Sequence, residues 1–170
     1  DAIAYFRMAV NPNDDEALKR IINVPARGIG ATTVAKISAI AIEHGVSMWR
    51  VLSDSQQFLL NINSGTRAKL NKFSSIIEDF CARKDEDAEA LAQHIIRSTG
   101  LLSQYLSDRT PENISKVQNL EELINGARDF VEDRREQDAD GAASMADFLA
   151  TVSLQTDQDT EDPALADSVT

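Results

Sequence analysis

Asn23-Val24-Pro25-Ala26-Arg27-Gly28-Ile29-Gly30-Ala31-Thr32-Thr33 is the stretch on which the fold turns. Residues 16–22 before it carry a helical pattern. Residues 32–44 after it do so as well, with Val34, Ile37, Ile40 and Ala41 apolar. Pro25 stops the first helix, because its ring lacks an amide hydrogen and cannot follow a helical turn. Gly28 and Gly30 are expected to take backbone angles that a side chain would forbid. The stretch therefore predicts a tight helix–hairpin–helix. Its second helix would open with unpaired amide hydrogens at the positive end of a dipole, which suits a phosphate. Ile29, between the glycines, is expected to plug the hairpin into its own core and leave the glycine amides facing outward.

Charge supports that reading locally and opposes it globally. Every charged residue from 17 to 42 is positive: Lys19, Arg20, Arg27 and Lys36. A second acid-free window, residues 55–77, holds Arg67, Lys69 and Lys72. The whole chain nevertheless carries a formal net charge of −11. Residues 132–170 contribute −9 of this, from eleven acids against Arg134 and Arg135, which leaves −2 for residues 1–131. Binding to a polyanion is thus permitted at one spot and predicted to be weak overall. A dinucleotide-binding reading of the glycines fails, since no strand precedes them and Thr33 stands at the third glycine position.

The 170 residues, 42% of them hydrophobic, suffice for one domain with a substantial core. No apolar run reaches the roughly 18 residues of a membrane span, and no leader pattern opens the chain. A cytoplasmic setting is expected: the single cysteine, Cys81, excludes an internal disulfide framework and suits a reducing compartment. It shares a core-facing spacing with Ile77, which predicts a buried small hydrophobe rather than a nucleophile. The chain opens within a helical pattern and stops uncapped, as a piece of something longer would.

Helical periodicity recurs along the chain. Residues 1–10 put Ala2, Ile3, Phe6, Ala9 and Val10 on one face, and Asp14 is the predicted N-cap of the helix before the hairpin. Gly45 closes the helix after it, and Ser47 caps a short one carrying Trp49 and Leu52. A long helix over 64–84 turns Leu70, Phe73, Ile76, Ile77 and Phe80 inward. Asp87 caps the next, which ends at Gly100, and a short apolar helix follows with Leu101, Leu102, Tyr105 and Leu106. Thr110-Pro111 starts a helix whose stripe runs through Ile114, Val117, Leu120, Ile124, Ala127 and Val131. A polar loop over 138–141 precedes a last helix, capped by Ser144. Residues 155–167 lack periodicity and are expected to be mobile. No convincing strand appears, so the expected class is all-α: an irregular helical domain of seven to nine helices containing the Gly-Ile-Gly hairpin. No catalytic constellation and no metal-ligand spacing is present.

Several segments together resemble the UvrD/PcrA/Rep family of superfamily 1 DNA helicases: DAIAYFR at 1–7, NPNDD at 11–15 and RIINVPARGIG at 20–30. STGL at 98–101, NLEEL at 119–123, and 144–154 followed by an acidic stretch and SVT at 168–170 add to it, in the family's order. The resemblance implies that residues 1–12 form an edge helix of the second motor domain, 2A. It implies that 13–154 form the inserted helical 2B subdomain, and that 155–170 lead back to the motor. Ile3, Phe6 and Val10 would then be bare without that motor and would promote self-association. It further implies a sequence-independent duplex-DNA contact through Arg27, Gly28, Ile29, Gly30, Thr32, Thr33 and Lys36, with Arg27 and Lys36 supplying charge. The implied partners are duplex DNA, the parent motor domains and repair proteins, with no membrane. ATP and Mg2+ would belong to the parent's motor domains, with no cofactor in this stretch. The alternative is a regulatory protein-interaction module whose hairpin is purely structural.

Overall fold

The computed structural model describes residues 1–59, 61–137 and 143–161, with side chains described up to 154. Ten helices lie among the described residues: α1 Ala2–Val10, α2 Asp15–Ile21, α3 Ala31–His44, α4 Met48–Ser53, α5 Ser55–Phe58, α6 Ser64–Ala82, α7 Ala88–Thr99, α8 Leu101–Ser107, α9 Pro111–Gln137 and α10 Met145–Glu161. The class is all-α, with one isolated β-bridge, Asp87 to Ser144, among these residues. The count exceeds the predicted upper bound by the single turn of α5, which is too short to show a period. The loop expected over 138–141 lies outside the described residues.

Local chemistry sets the helix ends. Asp14, Ser47, Asp87 and Ser144 each accept the amide three residues on, at 3.1, 3.1, 2.8 and 3.3 Å. Thr110 does the same for Asn113 at 3.2 Å. Each of these bonds satisfies a donor that the first turn cannot. Asn63 caps α6 through Thr66 at 2.8 Å, a cap the sequence reading passed over. Gly45 and Gly100 close α3 and α7 in the left-handed region. α10 continues to Glu161, past the expected boundary at 154; no glycine or proline stands between Met145 and Glu161 to interrupt it.

The short α1 is the hub. It packs against α2, α6, α7 and α10, while α7 and α8 pack on α9 and α3 packs on α4. Tyr5, Phe6 and Met8 of α1 are wholly buried with Phe73, Ile77 and Phe80 of α6 and Leu91 and Ile95 of α7. Tyr5 and Phe80 meet edge to face, their centroids 6.3 Å apart. Phe6 is therefore not bare, because α1 lies between helices instead of along a rim; Ile3 and Val10 are partly covered. The α9 stripe is buried only at Leu120, Ala127 and Val131, and Ile114 is 49% exposed where the helix begins.

Cys81 lies half-buried with its Sγ 3.4 Å from the Met8 carbonyl, and burial pushes its thiol above the ordinary range. Its labelling by a disulfide reagent at pH 8 is expected to be at least about tenfold slower than in urea-unfolded chain, since the thiolate is the reacting form. Equal rates in the two states would contradict a shielded thiol.

Candidate nucleic-acid interface

Three side chains build the hairpin: Ile29 from the core, Arg27 from beneath, and the exposed Asn23 from within the loop. Ile29 is 1% exposed and belongs to the core. Asn23 Oδ1 accepts the amides of Arg27 at 2.7 Å and Ile29 at 3.2 Å, folding the loop around one carbonyl oxygen. Arg27 turns its guanidinium back beneath the loop. Its Nη1 donates to the carbonyls of Ile21, Ile22 and Val24 at 2.8, 3.2 and 3.3 Å, and its Nη2 donates to Tyr5 Oη. The same guanidinium lies 5.2 Å from the Phe73 centroid and 5.8 Å from that of Tyr5. Tyr5 in turn donates to the Val24 carbonyl. Burial raises the Tyr5 phenol above its ordinary pKa, and Arg27 opposes that rise. The Val24–Pro25 peptide is cis.

What remains faces outward. Among the described residues, no acceptor meets the amides of Gly28, Gly30, Ala31, Thr32 or Thr33; the first α3 bond is Val34 N–H to the Gly30 carbonyl at 3.2 Å. Gly30 is the N-cap of α3 without a side chain of its own, so nothing on the cap competes for these donors. Thr32 and Lys36 are exposed, one turn apart on α3, with Thr33 partly exposed beside them. The arrangement can hold an anionic oxygen by several main-chain donors at once.

Each predicted site residue can now be placed. Gly28, Gly30, Thr32, Thr33 and Lys36 share the outer side of the hairpin and the first turns of α3. Ile29 sits beneath as the plug. Arg27 departs from the expected role: its guanidinium is committed to carbonyls and rings within the fold. The two glycines also differ from the expectation. Gly28 has φ +75°, in the left-handed region, whereas Gly30 has φ −82° and ψ 168°, extended backbone open to any residue. Gly30 leaves space instead, since a Cβ there would meet nothing within 4 Å.

Three residues of the site went unread in the sequence. Asn23 carried a signal, as an asparagine just after a helix readily bonds amides further on. Tyr5, a phenol on an apolar helix face, implied a buried acceptor. Lys69 of α6 showed only as part of the acid-free window; the fold brings its Nζ to 2.9 Å from where a Cβ on Gly28 would lie. No three His, Cys, Asp or Glu side chains converge as metal ligands among the described residues. His94 instead meets Asp79 at 2.7 Å, and this bond, with help from Arg83, holds the Asp79 carboxyl below its usual range.

Comparison with known proteins agrees along the full length. The chain is 29% identical over 168 residues to the ATP-dependent DNA helicase UvrD1 of Mycobacterium bovis, covering 94% of this chain and 22% of that protein. The UvrD1 protein of Mycobacterium leprae is 28% identical over 173 residues, with the same coverage. The ATP-dependent DNA helicase PcrA of Bacillus subtilis is 27% identical over 172 residues, covering 100% of this chain and 23% of that protein. The chain thus spans less than a quarter of the length of these relatives. Residues 1–170 match the family described as UvrD-like helicase C-terminal domain, and the chain belongs to that family.

Proposed function

We propose that this chain is the 2B subdomain of an ATP-dependent DNA helicase of the UvrD/PcrA/Rep type, and that it holds the backbone of duplex DNA at the Gly-Ile-Gly hairpin. The reading is carried by the unpaired amides of Gly28, Gly30 and Ala31–Thr33, fixed above the buried Ile29. The Thr32 and Thr33 hydroxyls and the Lys36 ammonium complete the contact, while Arg27 positions the loop from below. Phosphates position a protein without specifying sequence, so binding is sequence-independent. In this reading residues 13–154 are the insertion and 155–170 return to the motor, while residues 1–12, whose α1 packs between α2, α6, α7 and α10, join the insertion to the edge of motor domain 2A. The parent's motor domains bind ATP and Mg2+ and perform the hydrolysis, and the orientation of this subdomain regulates unwinding. The setting is cytoplasmic, in DNA repair or replication, with repair proteins as further partners. No described helix is long and apolar enough to cross a membrane.

Affinity of the isolated chain for duplex is expected at a Kd of about 10⁻⁴ M or weaker near physiological salt, the weak end of non-specific binding. Anisotropy of a labelled duplex, titrated at low salt and then at rising salt, measures it. Gly30→Val puts a branched side chain before the free amides and is expected to weaken binding at least about tenfold, with the helical circular dichroism retained. Affinity indifferent to salt, or a Gly30→Val variant that binds as before, would overturn the phosphate contact.

One observation favours the alternative of a protein-interaction module. A groove of about 480 Å³ between α9 and α10 has Leu123, Phe130, Phe148 and Val152 on its floor and Glu122, Asp129 and Asp133 among its lining. A chain that ignores duplex at low salt yet retains a purified repair protein through this groove would favour that reading.

A further inference from the structure

The acid-free part of α6 lies against the hairpin. Lys69, Lys72 and Ile76 stand three and four residues apart on one face of α6. With Pro25, Ala26 and Arg27 on the hairpin, and Ser98 and Thr99 at the end of α7, they line a groove of about 400 Å³. Lys69 crosses above Gly28, where an added Cβ would fall 2.9 Å from Nζ and 3.4 Å from Cε. Gly28 is constrained by its left-handed backbone, while the flexible lysine tip above it can move aside. Among the described residues, neither Lys69 nor Lys72 has a carboxylate within ion-pair distance. Among the described residues Lys19, Lys36, Lys84 and Lys116 are likewise exposed without an ion pair; what sets Lys69 and Lys72 apart is their place beside the hairpin.

We infer that Lys69 and Lys72 form a second backbone-phosphate site, so that a nucleic-acid strand seated on the hairpin amides is also gripped by α6. The inference rests on the hairpin reading above and adds a separate element to it. An ammonium is a compact charge with three donors on a flexible stem, which suits phosphate oxygens and needs no fixed geometry. Two uncompensated ammoniums beside a concave wall attract a polyanion in spite of the negative net charge, because screening confines distant acids to about a Debye length. The groove offers no aromatic platform for a base, so it grips backbone and not sequence.

The test is a salt series by anisotropy with labelled duplex on the 170-residue chain, comparing Lys69→Gln/Lys72→Gln, Gly30→Val, and a charge-matched Lys84→Gln/Lys116→Gln pair. Loss of two phosphate contacts is expected to flatten the plot of log K against log salt by about 1.8, at about 0.9 per contact for duplex DNA. Affinity at about 50 mM salt is expected to fall at least tenfold for the α6 pair, and by much less for the control pair. An unchanged slope, or a loss no greater than the control's, overturns the lysine site. If Gly30→Val binds normally while the α6 pair loses affinity, the hairpin contact fails and the lysine site stands. The reverse pattern removes the lysine site alone. A wild-type chain that binds no duplex at low salt removes both.

Discussion

Arg27→Ala is expected to lower the free energy of unfolding by about 2–4 kcal/mol, and with it the thermal midpoint by roughly 5–15 °C for a chain of this size. The guanidinium supplies hydrogen bonds to the carbonyls of Ile21, Ile22 and Val24, which end α2 and begin the loop. Bonds from a charged donor contribute about 1.5–3 kcal/mol, and the acceptors left behind lose partners in a partly buried place. Stacking near Phe73 and Tyr5 adds about 0.5–1 kcal/mol for each ring. These contributions share one group and are not additive, hence the range. Arg27→Lys keeps the charge but loses the planar fork, so it should fall between wild type and alanine. Tyr5→Phe removes the phenol that joins Arg27 to Val24, and a double-mutant cycle with Arg27→Ala should show clear coupling. Urea unfolding measures all three. A loss under about 0.5 kcal/mol for Arg27→Ala would mean that the latch is not holding the loop. Because this charge faces inward, Arg27→Gln should also leave the salt dependence of duplex binding unchanged at a temperature where the variant is folded.

That inward turn marks the limit of what the sequence made legible. The helix starts were readable because a cap is a local event: Asp14, Ser47, Asp87, Thr110 and Ser144 each act on an amide three residues away. The turn and its isoleucine plug were readable for the same reason, since Pro25 ends the helix and Gly28 admits the left-handed step within a few residues, although Gly30 proved extended. The direction of Arg27 was not. An arginine among basic neighbours reads as a surface cation until the fold places Tyr5 and Phe73 beneath it. Lys69 is the converse case, visible as part of an acid-free window but brought to Gly28 only by the packing of α6. The apolar stripe of α9 was over-read at Ile114, because periodicity reports a face and not how far its neighbours extend.

Ile29→Ala is the second large effect, expected to cost about 2–4 kcal/mol through lost burial and the cavity left behind. Ile29 is 1% exposed, and the residues on either side of it are glycines that bury no side chain. Most of the apolar anchorage of the turn therefore comes from this side chain, with the partly buried Val24 also packed against the core. Ile29→Val should cost only about 0.5–1.5 kcal/mol, since one methylene is lost and the branch is kept. The functional consequence follows from the same geometry. The donors of Gly28, Gly30 and Ala31–Thr33 are useful to a phosphate only while held in register, and ordering a loosened loop on binding weakens affinity. Amide exchange at these positions should accelerate in Ile29→Ala, and duplex affinity should fall although no residue facing the DNA has changed. Full destabilisation with unaltered affinity would separate the plug from the binding surface. Unaltered stability would show that Asn23 and Arg27 suffice to hold the turn, leaving the isoleucine as filling instead of anchor.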